Sequence, residues 1–71
     1  MKKKYKCEID CANCALKVET AIRKVEGVID AKVNFLTQKF TLEAADADFE
    51  RVLAEAVKAG KRAESDFEVE L

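Results

Sequence analysis

Hydrophobic residues in this chain switch between two periods, and the order of the switches leaves few folds open. Tyr5, Cys7 and Ile9 share one parity; so do Ala31, Val33 and Phe35, then Phe40 and Leu42, then Phe67, Val69 and Leu71. Alternation of this kind marks a half-buried strand with polar residues on its other face. Ala15, Val18, Ile22 and Val25 instead recur on one helical face, and Phe49, Val52, Leu53, Ala56 and Val57 form a second stripe. Asp46 or Asp48 stands where the second helix needs an N-cap. Gly27 and Gly60 each follow a helical stripe and are expected just past a helix end. The segment FLTQKF reads as a hairpin connection.

The order is therefore β-α-β-β-α-β. One apolar sheet face and two helix stripes make an α+β two-layer sandwich, with both helices on one face of a four-stranded antiparallel sheet. Right-handed crossovers lead to the ferredoxin-like arrangement as a single domain over residues 1–71. The first strand then lies beside the last. Lys4 and Lys6 point outward on one, Asp66, Glu68 and Glu70 on the other, and opposite charges favour that pairing modestly.

A domain of 71 residues buries a core that supplies only about 3–5 kcal/mol, so a staple would help. Its three cysteines are the candidates, and an odd number cannot close a complete intrachain disulfide set. That fits a reducing, cytoplasmic setting. With 13 basic and 14 acidic residues there is no bulk attraction to nucleic acid. The lysines of MKKKYK are offset by the outward acids of the last strand, which suggests a salt-laced sheet. No apolar run is long enough for direct membrane insertion, and the basic start has no apolar stretch behind it.

The stretch IDCANCALKVETAI carries the chemistry. The spacing puts Cys11 in the loop after the first strand and Cys14 in the first turn of the first helix. A helix N-terminus offers free N–H groups and partial positive charge, which lower thiol pKa values. Two soft thiolates converging there suit Cu(I), Zn(II), Cd(II) or Pb(II). Cys7 shares the inward parity of Tyr5 and Ile9; it reads as a small buried hydrophobe, with a third thiolate as the alternative.

The residues DCANCALKVETAIRKVEGV, AKVNF and LAEAVKAG resemble the heavy-metal-associated domain family, found in metal-transporting P-type ATPases and in small metallochaperones. Cys11, Cys14, Val18, Glu19, Gly27 and Val28 fill the family pattern. The resemblance implies a ferredoxin-like fold and metal binding by Cys11 and Cys14. It also implies a partner in the membrane or catalytic part of a P-type ATPase, in the same chain or another. Where the family usually has glycine before an apolar residue ahead of the first cysteine, this chain has Glu8 and Ile9. Asp10 gives the Asp-Cys-x-x-Cys form that resembles the zinc, cadmium and lead branch. Physically, Cu(I) is satisfied by two thiolates, whereas Zn(II) and Cd(II) prefer about four ligands. A third ligand from Asp10 still leaves a position open for transfer by ligand exchange, or for a metal-bridged dimer of an otherwise monomeric domain at high concentration. Divalent metal is therefore favoured, with Cu(I) as the alternative. Lys61, where copper chaperones often carry lysine, pulls toward copper if its ammonium offsets a two-thiolate site; otherwise it is a surface lysine.

Asp10 also suits a helix cap. Leu16 and Ala12 are candidates for the apolar rim of a docking patch, and Glu19 reads as part of a solvated face. Three other classes share part of this pattern. RNA-recognition modules share the element order but stack bases on sheet aromatics; the outward residues here are Lys39, Thr41, Glu43 and lysines. Thioredoxin-like enzymes share the Cys-x-x-Cys but are longer and set a proline opposite it, and this chain has none. A closed structural zinc site needs four ligands, which three cysteines and no histidine do not provide without carboxylates or a second chain. The chain is expected to catalyse no reaction itself.

Overall fold

The computed structural model describes residues 1–70, so Leu71, assigned by parity to the last strand, lies outside the described residues. The elements are β1 (Lys2–Glu8), α1 (Ala12–Arg23), β2 (Val28–Asn34), β3 (Lys39–Ala44), α2 (Phe49–Ala63) and β4 (Glu68–Glu70). A 3-10 turn, Asp46–Asp48, leads into α2. The strands form one sheet in the order β2-β3-β1-β4, with antiparallel neighbours throughout. This is the ferredoxin-like sandwich that the two periods predict.

The core lies between sheet and helices. Phe40 and Leu42 of β3, Ala31 of β2 and Cys7 of β1 meet Ala15, Val18 and Ile22 of α1 and Phe49, Val52 and Ala56 of α2. Phe40 is central, with its ring 6.1 Å from that of Tyr5 and edge-on to Phe67 at 6.0 Å. The stripes are buried because isolated helices of this length are marginal in water and need such a surface. Among the described residues no polar or charged residue is buried.

The structure corrects several local expectations. Gly60 does not end α2; it lies inside it, fully packed. A β-carbon there would stand 2.7 Å from Cδ2 and Cε2 of Phe67 and 3.2 Å from Val18 Cγ1. Glycine is needed for close approach of helix and ring, not for backbone freedom. Gly27 does adopt a left-handed φ of +99°, in the turn after C-cap Lys24. Neither Asp46 nor Asp48 caps α2 through its side chain; N-cap Asp48 makes no capping bond, and the Asp46 carboxylate lies 2.9 Å from the Met1 amine. A bulge between Val28 and Asp30 leaves Ile29 unpaired and exposed, and resets the parity so that both Val28 and Ala31 turn inward.

β1 does pair with β4, with Lys6 opposite Glu70. The charge logic is only partly realised. Lys4 faces Thr41 of β3 instead, and Glu8 faces Glu68. Glu19 is not simply solvated: half-buried, its Oε1 accepts the Val33 amide at 3.1 Å and covers part of the outer edge of β2.

Gly60→Ala sets a helix-propensity gain of about 1 kcal/mol against overpacking of about 1–3 kcal/mol. The Phe67 ring is wholly buried and would stand 2.7 Å from the added carbon, so overpacking outweighs the propensity gain. Urea unfolding is expected to show a net loss of up to about 2 kcal/mol; a raised midpoint would mean that the ring moves aside freely.

Candidate metal centre

β1 stops at Glu8, and Ile9, only 4% exposed, plugs the core beneath the loop. Asp10 is exposed. Cys11 then takes an extended conformation, φ −153° and ψ 160°, as the N-cap of α1. Its Sγ accepts the Cys14 amide at 3.2 Å, and its carbonyl accepts the Ala15 amide at 3.0 Å, the first helical bond. The cap is therefore a thiol of the pair itself, and the capping role open to Asp10 on sequence grounds goes to Cys11. This frees the Asp10 carboxylate from the helix.

The two sulfurs lie 2.7 Å apart, both cysteines half-buried and neither in a disulfide. At that separation they share a proton. The Cys11 thiol is held below its ordinary value, first by the hydrogen bond from the Cys14 side chain and then by the Cys14 amide. Cys14 keeps the proton and is pushed up to about 11, by that same hydrogen bond, by burial, and by the negative charge of Cys11 and of Glu64. Cys11 is thus the sulfur that gives up its proton more readily, and a cation held by both sulfurs displaces the proton kept by Cys14.

Glu64 was not foreseen from the sequence. It is the C-cap of α2, half-buried, and its carboxylate helps to raise Cys14 and slightly opposes the lowering of Cys11. Lys61, open on sequence grounds as a surface lysine or a charge partner of the site, is exposed and pairs with Glu68 of β4, its Nζ 3.6 Å from the carboxylate. The charged side chain that acts on the thiols is thus a carboxylate.

Cys7 lies in the core, 3% exposed and opposite Val69. Burial raises its thiol, slightly offset by Lys39. Among the described residues no three Cys, Asp, Glu or His side chains gather in a metal-holding set. The fold brings Cys11 and Cys14 together and leaves Asp10 and Cys7 outside that pair. Ala12 and Leu16 are exposed beside it, and with Phe35 and Leu36 of the β2–β3 turn they line one shallow groove. Leu36, 87% exposed, had no periodic signal to mark it.

A ferredoxin-like domain that presents two adjacent thiols at the start of its first helix is a soft-metal-binding module. The model of the heavy-metal-associated domain matches residues 6–62, and the chain belongs to that family. It is 45% identical over 53 residues to a zinc/cadmium/lead-transporting P-type ATPase of Shigella sonnei (strain Ss046); the match takes in 73% of this chain and 7% of the ATPase. Among solved structures, the apo N-terminal domain of ZntA superposes with a TM-score of 0.68 at 32% identity, over 99% of this chain and 92% of that one. The Cu(I)-loaded N-terminal domain of a potential copper-translocating P-type ATPase from Bacillus subtilis gives 0.78 at 28%, over 99% and 84%. The chain is thus a metal-binding domain related to both ATPase domains and chaperones. No helix among the described residues is long and apolar enough to cross a membrane.

Thiol alkylation should be biphasic with pH. Cys11 reacts first, below the ordinary thiol value of 9.0, and Cys14 only as pH approaches about 11. Cys14→Ala removes the S–H donor but keeps the main-chain amide, and is expected to return Cys11 part of the way toward its ordinary value. The raised Cys14 value also sets a sign for stability. The folded state holds this proton more tightly than the unfolded one, so its contribution is complete below pH 9.0 and is lost as pH rises toward about 11. Equal alkylation rates for the two cysteines by mass spectrometry would contradict the shared proton.

Proposed function

We propose that the domain carries a divalent soft or borderline cation, zinc, cadmium or lead, between Cys11 and Cys14. It passes the ion by ligand exchange to or within a metal-transporting P-type ATPase, in cis or in trans, on the cytoplasmic side. The observation that carries this reading is the pair of thiols 2.7 Å apart with the Glu64 carboxylate, and not the Lys61 ammonium, acting on them. A negative setting stabilises a doubly charged cation more than a singly charged one. The exposed Asp10, next to Cys11 and not engaged as the cap, is the proposed third ligand.

Binding needs both sulfurs as thiolates, so the cation displaces the proton held between them. Two thiolates and one carboxylate leave zinc or cadmium a position short of the four ligands it favours. An incoming thiolate or carboxylate of the partner takes that position, the metal bridges both proteins, and the original ligands depart. The exposed Ala12 and Leu16 are suited to meet the partner beside the transferring ion. A Cu(I) reading has one observation in its favour: no third ligand is gathered around the pair, and Cu(I) is satisfied by two thiolates.

Titration of the reduced protein with zinc, cadmium and Cu(I) under competing chelators separates the two. Asp10→Ala is expected to weaken zinc and cadmium on the order of tenfold and to spare Cu(I), while Cys11→Ala abolishes all three. If Cu(I) prevails in a thiol buffer and Asp10→Ala leaves zinc affinity unchanged, the domain is a copper carrier.

A further inference from the structure

We propose that Gln38 is the positioning residue of the metal loop: from the β2–β3 turn its side-chain amide grips the main chain of Ile9 and fixes where Cys11 is presented. This rests on Cys11 and Cys14 holding the metal. Gln38 Oε1 accepts the Ile9 amide at 2.9 Å, while Nε2 donates to the Ile9 carbonyl at 3.0 Å and to the Phe35 carbonyl at 2.7 Å. The Gln38 carbonyl accepts the Cys7 amide at 2.9 Å. Past the end of β1 no neighbouring strand pairs with Ile9, and one side chain supplies both bonds that a strand would have made.

The chemistry narrows the choice of residue. The site needs an acceptor and two donations from one neutral group, which only a carboxamide provides. Asparagine is one methylene shorter, and glutamate cannot donate. Gln38 also sits at φ +55°, the only non-glycine residue in that region among those described. Such backbone persists where surrounding bonds hold it, and it clusters at ligand sites. The turn is held from two sides: Asn34 Oδ1 accepts from Leu36 and Thr37 at 2.9 and 3.2 Å, and Gln38 Nε2 donates to the Phe35 carbonyl. The two bonds to Ile9 reach beyond the turn to the loop. Only Asp10 separates Ile9 from Cys11, so freedom at Ile9 passes directly to the Cys11 sulfur and to the proposed Asp10 ligand.

Gln38→Gly removes the amide while accepting the positive φ and keeping the carbonyl bond to Cys7. Gln38→Glu keeps the acceptor and loses both donations. Cd(II) affinity by chelator competition, well below the unfolding temperature of each variant, is expected to fall on the order of tenfold in both. Faster amide exchange should appear at Ile9 in the metal-free glycine variant, with the Leu42 amide still protected. If both variants unfold more readily yet bind Cd(II) as the parent does, Gln38 is only a structural brace and the proposal fails. Cys11→Ser is the control for the underlying reading. Parent-like Cd(II) affinity in that variant would overturn the site itself; its loss, with unchanged Gln38 variants, would overturn the positioning role alone.

Discussion

The start of α1 is closed by sulfur: the Cys14 amide points at Cys11 Sγ across 3.2 Å. An oxygen from serine, threonine or aspartate usually fills this position. Here the capping atom is also half of the proposed metal pair, so forming the helix start also lowers the Cys11 thiol. The free N–H groups of the first turn favour negative charge on Cys11, and the adjacent Cys14 proton is then held back. Removing the cap would loosen the helix start and dissolve the pair together.

The rest of the molecule holds that start in place. Val18 and Ile22 bury the far side of α1, while Phe67 presses into the space left by Gly60. That contact draws α2 and the entry to β4 together, and the Glu64 carboxylate at the end of α2 acts on the thiols. The packing of one phenyl ring on one glycine thereby helps determine which charge the site experiences. Lys61, only three positions earlier, leaves on the side of β4 and binds Glu68.

How much of this was legible follows from the range of each interaction. The element order, sheet pairing and two-thiol junction all rest on periodicities of two and three-to-four residues, which a sequence displays directly. Gly60 was misplaced because its reason is a ring that packs against it only in the fold, whereas glycine after an apolar stripe usually signals a helix end. Asp10 suits a cap as well as a metal ligand because carboxylates commonly cap, and nothing local reveals that a neighbouring sulfur takes the capping role. Gln38 was silent because its partner, Ile9, is 29 residues away. The sign of the charge near the thiols depends on where α2 ends: Lys61 is still helical, whereas Glu64 is the extended C-cap, and its carboxylate acts on the thiols.

The central claim is that a preformed scaffold presents a two-thiolate site and takes up metal without refolding. Cd(II) titration of the reduced protein, followed by amide and cysteine Cβ resonances, tests it most directly. The account predicts a folded metal-free spectrum, saturation at one equivalent, and changes confined to the Ile9–Ala15 loop, the Gln38 turn and the end of α2 around Glu64. Cysteine Cβ shifts should move for Cys11 and Cys14 and stay fixed for Cys7. An unfolded metal-free state, or a Cys7 resonance that moves with the other two, would contradict it.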